Sequence, residues 1–367
     1  MPLGMPSHDG RPIQRIGRER RFCRLPAYRR DRARPLSAGG GHATLVSMSS
    51  RSVPPRIAYS AFPLDRASRL RRDAALLAAA ELAPSTRVVP VWRGRNLIVP
   101  GEAPAAIALA GAAARAAFAA AEVKVFLGAD DEGAWFATDL SLDAEADLAV
   151  VLAAAPAGAA FQELRAAGAL MAGGEAALLA CARGLIHWHG ASRFCGACGA
   201  PTESREGGHA RRCTDEGCGR DHFPRTDPAV IMLLTRPAPR GRPDAARCLL
   251  ARQAHWPEAL YSALAGFVEP GEGLEAAVAR EAEEEVGLRL AKVAYRASQP
   301  WPFPSSLMLG FRAEAAEDAI RRDEKELADA RWFTRAELKT LPRDDLRLSR
   351  PDSIARFLIE EWLAEED

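Results

Sequence analysis

Between Gly266 and Leu288 the chain reads GFVEPGEGLEAAVAREAEEEVGL, with glutamates spaced to put several carboxylates on one side of a helix. Leu274, Ala277 and Val278 form an apolar stripe at i, i+3 and i+4, and Glu281, Glu284 and Glu285 continue that stripe instead of facing away from it. Like charges so close repel unless a cation sits among them. Mg2+ or Mn2+ suits these oxygens, keeps several waters and takes phosphate oxygens at its remaining positions. The chemistry such a site serves is phosphoanhydride cleavage, in which bound metal neutralises a diphosphate and lowers the pKa of an attacking water. Gly266 and Gly271 are expected to let the loop backbone approach closely, Gly287 to take the left-handed position after the helix, and Arg280 to lock the glutamates in place. The plain alternative is a solvated glutamate-rich helix. By ordinary composition, Gly266, Glu272, Arg280, Glu281, Glu284, Glu285 and Gly287 at these spacings should arise on the order of once in a million such chains.

These residues resemble the box of the Nudix family, G-x5-E-x7-R-E-U-x-E-E-x-G-U with U a bulky apolar residue. Every fixed position matches, and Ala282 at the first U removes core volume but no ligand. The resemblance implies that Glu281, Glu284 and Glu285 ligate divalent metal with the Ala265 carbonyl, and that Glu326, in DEKELADARWF, is an additional ligand.

Ten residues past the box runs SQPWPFPSS, Ser298 to Ser306. Its three prolines around two aromatics form a rigid ledge that cannot be a central strand. Trp301 and Phe303 can wall a pocket for planar rings, and Gln299 and Ser306 can hydrogen-bond an adenine, a ribose or a nicotinamide amide. Taken alone, a proline-rich turn with buried aromatics is an equal reading. With the box, the string is similar to the signature of the NADH pyrophosphatases within the Nudix family. That resemblance implies hydrolysis of NADH, and of NAD+ less well, to nicotinamide mononucleotide and AMP, and in some members removal of NAD caps from RNA 5′ ends. It further implies that Gln299, Pro300, Trp301, Pro302, Phe303, Pro304, Ser305 and Ser306 line the substrate, with Phe223, Phe267, Ala355 and Arg165 touching it, and that the protein is a homodimer.

Cys195-Gly-Ala-Cys198, fourteen residues, then Cys213-Thr-Asp-Glu-Gly-Cys218 present four thiolates at spacings suited to one tetrahedral Zn2+ per chain. Four sulfurs leave no open position, so this metal is expected to hold the fold and do no chemistry. His209 and His222 stand nearby as substitutes, and the family's second pair is C-x2-C where this chain has C-x4-C, so Cys213 is the loosest assignment. Three further cysteines stand alone, and with clustered thiols and no signal peptide the expectation is a reducing cytoplasm.

Elements must position these groups. At 367 residues the chain is long enough for two or three domains, and its formal charge of +1 offers no case for an obligatory polyanion partner. The expected division is residues 1–50 as a disordered Arg-rich extension, 51–188 as an N-terminal α+β block, 189–224 as the zinc ribbon and 225–367 as the catalytic domain, a Nudix fold built as an α/β/α sandwich. The extension holds ten Arg against three acids, has no apolar periodicity, and contains Met48 as an alternative start. In the N-terminal block, Arg87 to Trp92 with Asn96 to Val99, and Val123 to Leu127 with Trp135 to Thr138, read as hairpins, and Ala103 to Ala121 and Glu175 to His187 as helices. In the catalytic block, Ala229 to Thr235, Arg247 to Arg252 and Leu307 to Ala313 read as strands, Pro237 to Asp244 as a loop, and Leu274 to Val286 and Ser353 to Glu365 as helices. His187, Trp188 and His189 read as packing or helix-end residues, and no apolar run reaches the roughly 18 residues of a membrane span. Two other functions fit parts of the chain. One is a Nudix hydrolase for ADP-ribose or a dinucleoside polyphosphate, which needs no proline ledge. The other is a nucleic-acid-binding or regulatory protein that uses the ribbon and the basic tail.

Overall fold

The computed structural model describes residues 44–45, 57–141, 145–238, 242, 245–340 and 346–365. Apart from 44–45 the Arg-rich extension lies outside them, as do Met48 and most of the loop from Pro237 to Asp244.

In the N-terminal block, β1 (Arg87–Trp92) and β2 (Arg95–Val99) form a hairpin in which Val91 faces Asn96 and Trp92 faces Arg95. Arg93 and Gly94 turn it with φ of 48° and 73°, the left-handed pair that matches the twist of the flanking strands. β3 (Ala105–Ala108), β4 (Val123–Ala129), β5 (Ala134–Asp139) and β6 (Ala160–Gln162) complete the sheet in the order β3-β2-β1-β5-β4, with β6 also on β2 and Thr44–Leu45 on β3. β1 and β5 run parallel; the other pairs are antiparallel. The helices of this block are α1 (Ala74–Leu82), α2 (Gly111–Ala120), α3 (Glu145–Ala153), α4 (Leu164–Ala167) and α5 (Gly173–Ala191). Alternation divides the side chains. Val89, Val91 and Ile98 pack with Leu178, Leu179 and Ile186 of α5, while Val88, Leu97 and Phe136 pack with Ala117 and Phe118 of α2.

One expected element divides. The run from Ala103 to Ala121 is not one helix, because Ala105–Ala108 is a strand and the helix begins only at Gly111. Alanine has no strong strand preference of its own, but this stretch has an open strand edge to pair with. Ile98 and Val99 supply ladder partners, Ile107 becomes fully buried, and the Glu175 carboxylate accepts the Ala106 N–H at 3.0 Å.

The ribbon is a three-stranded antiparallel sheet of Thr202–Arg205, Ala210–Cys213 and Asp221–His222. Buried His189, at the end of α5, ties it to the first block, its Nε2 bonding the Gly208 carbonyl at 2.9 Å and its Nδ1 facing Arg211 at 2.8 Å. Burial lowers its pKa to about 4, so the ring is neutral. His209 bonds the Phe126 carbonyl at 2.7 Å. Both histidines therefore have structural work, and Trp188 is buried beside them.

The catalytic block is a mixed sheet between helices. β7 (Asp227–Arg236), β8 (Arg247–Gln253), β9 (Leu264–Phe267), β10 (Leu290–Trp301), β11 (Ser306–Ala315) and β12 (Leu327–Thr334) take the order β10-β11-β7-β8-β12, with β9 also on β7. Along β7 the period of two assigns Val230, Met232 and Leu234 to α6 (Leu274–Val286), where they meet Val278, Ala282 and Val286. Ile231 and Leu233 go to the opposite helix, Ile354–Leu363, where they meet Leu358, Ile359 and Trp362. Full burial of one such aliphatic side chain stabilises by about 1.5–3 kcal/mol, which is what pins α6 and its carboxylates to the sheet. No helix among the described residues is long and apolar enough to cross a membrane.

Candidate active site

α6 occupies the expected residues, and its final turn shows why the box needs its glycines. Gly287 closes the helix at φ 67°, its N–H reaching the Glu283 carbonyl at 2.9 Å. A side chain at Gly266 would place Cβ 1.9 Å from the Glu281 carboxyl carbon, so only glycine lets β9 lie against that acid. Gly271 works otherwise than expected, since nothing lies within 4 Å of its missing Cβ and its φ of 87° is what a turn there requires. Gly266→Ala is therefore expected to push the Glu281 carboxylate out of place and destabilise the fold by about 1 kcal/mol, the low end of overpacking because the displaced atoms end a flexible side chain. Denaturant unfolding beside the wild type reads it, and an equal midpoint would refute the contact.

Arg280 holds the loop and the helix together. Its Nε reaches Glu272 at 2.8 Å, one terminal nitrogen reaches Glu281 at 2.9 Å and Glu284 at 2.8 Å, and the other reaches the Phe267 carbonyl at 2.9 Å. The helix stripe is only partly buried, for Glu281 and Glu285 are 9% and 5% exposed while Glu284 is solvent-facing. Glu285 has the least satisfied environment. Its Oε2 is buried without a hydrogen-bond partner, and burial, then the charges of Glu281, Glu326 and Glu284, raise its pKa to about 8. Exposed Glu326 lies just before β12 and acts electrostatically on both Glu281 and Glu285. An orphaned carboxylate oxygen amid like charges, in an all-oxygen donor set, fits a hard divalent cation.

Among the described residues the one cluster of His, Cys, Asp or Glu already drawn together for a metal is the cysteine set. The glutamates are less tightly gathered, because Arg280 holds Glu281 and Glu284. Cys195, Cys198, Cys213 and Cys218 bring their sulfurs within 4.8 Å of one another, with Cys195 to Cys218 at 3.8 Å and Cys198 to Cys213 at 3.4 Å. Sulfurs bound to tetrahedral zinc at about 2.3 Å stand about 3.8 Å apart, so the set fits. Backbone N–H groups of Ala197 and Cys198 lower the Cys195 pKa to about 6, and burial lifts that of Cys213 to about 12. The longer second knuckle is absorbed by a turn in which the Cys218 and Gly219 N–H groups both return to the Asp215 carbonyl.

Beside Glu285 opens a cavity of about 380 Å3 with apolar walls that include Ile231, Leu264, Met308 and Ile354. It collects Ala265, Glu285, Gln299, Trp301, Ala355 and, from the N-terminal block, Arg165, whose guanidinium lies 5.6 Å over Trp301. Trp256, Ser262, Arg350 and Ser353 also line it. No local pattern marks these four, since they stand on two segments, 256–262 and 350–353, that meet only on folding.

The proline ledge splits. Gln299 and Trp301, two apart on the edge strand β10, share the cavity face, whereas Pro300, Pro302, Phe303, Pro304, Ser305 and Ser306 do not line it. The Pro302 carbonyl accepts from Arg183, which also bonds the Gly94 carbonyl at 2.9 Å and stacks 5.2 Å over Phe303. Phe303 packs on the N-terminal core, and Ser305 donates to Asp227 at 2.9 Å. Gln299 is corrected as a hydrogen-bond partner for substrate, because its amide is already satisfied. It donates to the Ala58 and Asp352 carbonyls at 3.1 and 2.6 Å and accepts the Ile354 N–H at 2.8 Å. Phe223 and Phe267 lie outside the cavity, 64% and 62% exposed, and Phe223 instead borders a groove between the first block and the ribbon.

With this geometry in view, comparison with known proteins finds three domain families in order along the chain. An NADH pyrophosphatase-like rudimentary NUDIX domain matches residues 85–188, an NADH pyrophosphatase zinc ribbon domain 191–223 and a NUDIX domain 225–357. The NAD-capped RNA hydrolase NudC of Mycobacterium tuberculosis is 39% identical over 332 residues, covering 87% of this chain and 97% of that protein. The human NAD-capped RNA hydrolase NUDT12 is 42% identical over 199 residues, 52% of this chain, and the Arabidopsis thaliana Nudix hydrolase 19, chloroplastic, 45% identical over 170 residues, 45% of this chain. The chain spans only 42% and 37% of the lengths of these last two relatives. A rudimentary Nudix domain, a zinc ribbon and a Nudix domain in this order, with a NudC relative 39% identical over 87% of the chain, show that the chain belongs to the NudC-type, NADH pyrophosphatase-like branch of the Nudix hydrolase family.

Proposed function

We propose that the chain hydrolyses the pyrophosphate bond of NADH and NAD+ to nicotinamide mononucleotide and AMP, and removes NAD caps from RNA. One observation carries the reading: the unpartnered Glu285 carboxylate opens onto the same apolar cavity as Trp301 and Arg165. A phosphoanhydride site thus adjoins a space of about 380 Å3, which suits one nucleoside half of a dinucleotide. The names of the mycobacterial and human relatives, both NAD-capped RNA hydrolases, support the same substrate class.

In this reading Glu281, Glu284, Glu285 and Glu326, with the Ala265 carbonyl, hold Mg2+ or Mn2+. When bound, the metal supplies charge neutralisation on the diphosphate and an acidified water. Arg280 keeps Glu281 and Glu284 aimed, through hydrogen bonds that also fix the loop at Glu272. Trp301 walls the base or nicotinamide ring, and Arg165 brings a cation from the N-terminal block to the same cavity. Cys195, Cys198, Cys213 and Cys218 hold one structural Zn2+. The domain division at 51–188, 189–224 and 225–367 and a cytoplasmic home belong to the same proposal. So does a homodimer, in which Phe223, Phe267 and the 66%-exposed Phe194 are apolar surface for a second copy to cover.

The test is product analysis after incubation with NADH, ADP-ribose, diadenosine tetraphosphate and NAD-capped RNA in Mg2+ or Mn2+, with sedimentation of the same sample. Reduced nicotinamide mononucleotide plus AMP from NADH is expected. Cleavage of ADP-ribose or diadenosine tetraphosphate alone would move the reading to a different Nudix substrate. A folded, zinc-loaded protein that cuts none of them would point to a binding role.

A further inference from the structure

We propose that Arg350 and Arg165 form a cationic rim on the cavity that recognises a phosphate carried on the ribose of the dinucleotide, outside the pyrophosphate that is cut. This rests on the dinucleotide-hydrolase reading above. Both arginines line the cavity that Glu285 also borders. Arg350 is held from behind: its Nε donates to Asp352 Oδ1 at 3.2 Å, while the other Asp352 oxygen accepts the Tyr59 hydroxyl at 3.1 Å. The Asp352 side chain is fully buried and that of Arg350 is 48% exposed, so the carboxylate anchors the guanidinium while its outer edge meets solvent. Among the described residues the two terminal nitrogens of Arg350 have no partner. A guanidinium pinned through Nε leaves a two-pronged fork whose geometry matches a pair of phosphate oxygens.

Arg165 meets the same region from the N-terminal block. It stacks over Trp301 and makes no hydrogen bond or ion pair among the described residues. Its neighbour Glu163 is occupied with Arg95 at 3.2 Å and does not neutralise it. Trp301 and Tyr59 meet edge to face with ring centres 6.3 Å apart, so the two cations flank one aromatic pair. The carboxylates proposed to hold metal, which the scissile pyrophosphate must reach, are a separate set on α6, in which Glu285 is buried and Arg280 already serves as the cation. Two cations with free donors thus stand on the cavity besides Arg280, whose own donors are spent on the glutamates and the Phe267 carbonyl. An additional phosphate on the substrate satisfies them.

Two substrates carry that chemistry. NADPH bears a 2′-phosphomonoester on its adenosine ribose, and NAD-capped RNA bears a 3′-phosphodiester leading to the next nucleotide; NADH has neither. The experiment measures kcat/KM of the zinc-loaded full chain for NADH, NADPH and a short NAD-capped oligonucleotide, with Arg350→Gln and Arg350→Lys beside the wild type and melting curves as a check on folding. Arg350→Gln is expected to lower the ratio of kcat/KM for the phosphorylated substrate over NADH about tenfold, through KM, the order of one charge-assisted contact. Arg350→Lys keeps part of the ratio, since it keeps the charge and loses the fork. A fall for NADPH alone identifies the monoester as the source, and a fall for the oligonucleotide alone identifies the RNA. Unchanged ratios for both overturn the proposal, whatever happens to the absolute rates. Calorimetric binding of NADPH and NADH to the Glu285→Gln protein reads the same ratio without turnover. Failure to cleave any dinucleotide would therefore sink the hydrolase reading and still leave the rim decided.

Discussion

Glu285→Gln is expected to lower turnover on the order of 10³-fold while making the protein more stable at pH 8 in the absence of Mg2+ and Mn2+. Both effects come from the same atoms. In the metal-free site Glu285 has its pKa raised from 4.5 to about 8, first by burial and then by Glu281, Glu326 and Glu284. Between those two values the folded protein keeps a proton that the unfolded chain releases. This contribution to stability is complete below about pH 4.5 and is lost as pH rises through about 8. The shift corresponds to roughly 2–4 kcal/mol once relaxation of the site is allowed for. Glutamine is neutral at every pH, so the variant loses that slope. Divalent metal acts the other way, for it binds the ionised carboxylate, and its affinity should climb over the same pH window. The check is the melting temperature of zinc-loaded protein without Mg2+ or Mn2+ from pH 5 to 8.5, together with NADH turnover at saturating Mg2+. A Gln variant that kept full turnover, or showed the same pH slope, would remove Glu285 from the metal set. Gain of stability on loss of activity is expected where a fold keeps repelling charges for function.

Removal of zinc is expected to have the larger structural effect. In zinc-finger peptides, zinc binding is worth about 10–16 kcal/mol and is the folding energy itself. Here the three short strands from Thr202 to His222 bury little besides Cys195, Cys213, Ala210 and the polar pair Thr202 and Arg211. Four thiols this close, with Cys195 lowered to about 6 and Cys213 raised to about 12, do not all ionise without a cation. Chelation, or Cys213→Ser, should therefore unfold residues 195–222, and the loss should spread into α5 because His189 would lose the Gly208 carbonyl and Arg211. Hydrogen exchange would then rise at Ala210 to Cys213 and at the last turn of α5, and added Zn2+ would reverse the effect of chelation but not of the substitution. Unchanged exchange after complete removal of metal would show that the ribbon holds itself.

Much of this protein is local, and what is local was legible in the residues. Apart from Glu284, which faces solvent, the α6 stripe from Leu274 to Val286 falls where its periodicity puts it, because one helical turn decides which side chains share a face. The unbroken apolar run from Ala229 to Leu234 likewise announces a strand buried on both sides. The four thiols are drawn together by two short knuckles, each needing only a turn. Gly266 could be read as a close approach, although only the fold shows that the Glu281 carboxylate is what approaches.

Other outcomes depended on partners far away in the chain. Ala105–Ala108 is a strand because an edge and the Glu175 carboxylate wait for it, and these distant partners override the helix preference of alanine. Gln299 serves the fold instead of a ligand because Ala58, Asp352 and Ile354 converge on its amide from 241, 53 and 55 residues away. The rim is of the same kind, since Tyr59 finds Asp352 across 293 residues and only then is Arg350 held at the cavity beside Arg165. The sequence by itself therefore determined the helix that carries the carboxylates, the apolar strand beneath it and the cysteine knuckles, where spacing along the chain is spacing in space. Tertiary structure alone decided which polar groups are spent on one another and which remain free to meet a substrate, because a hydrogen bond is satisfied by whatever partner the fold brings within about 3 Å, however distant in the chain.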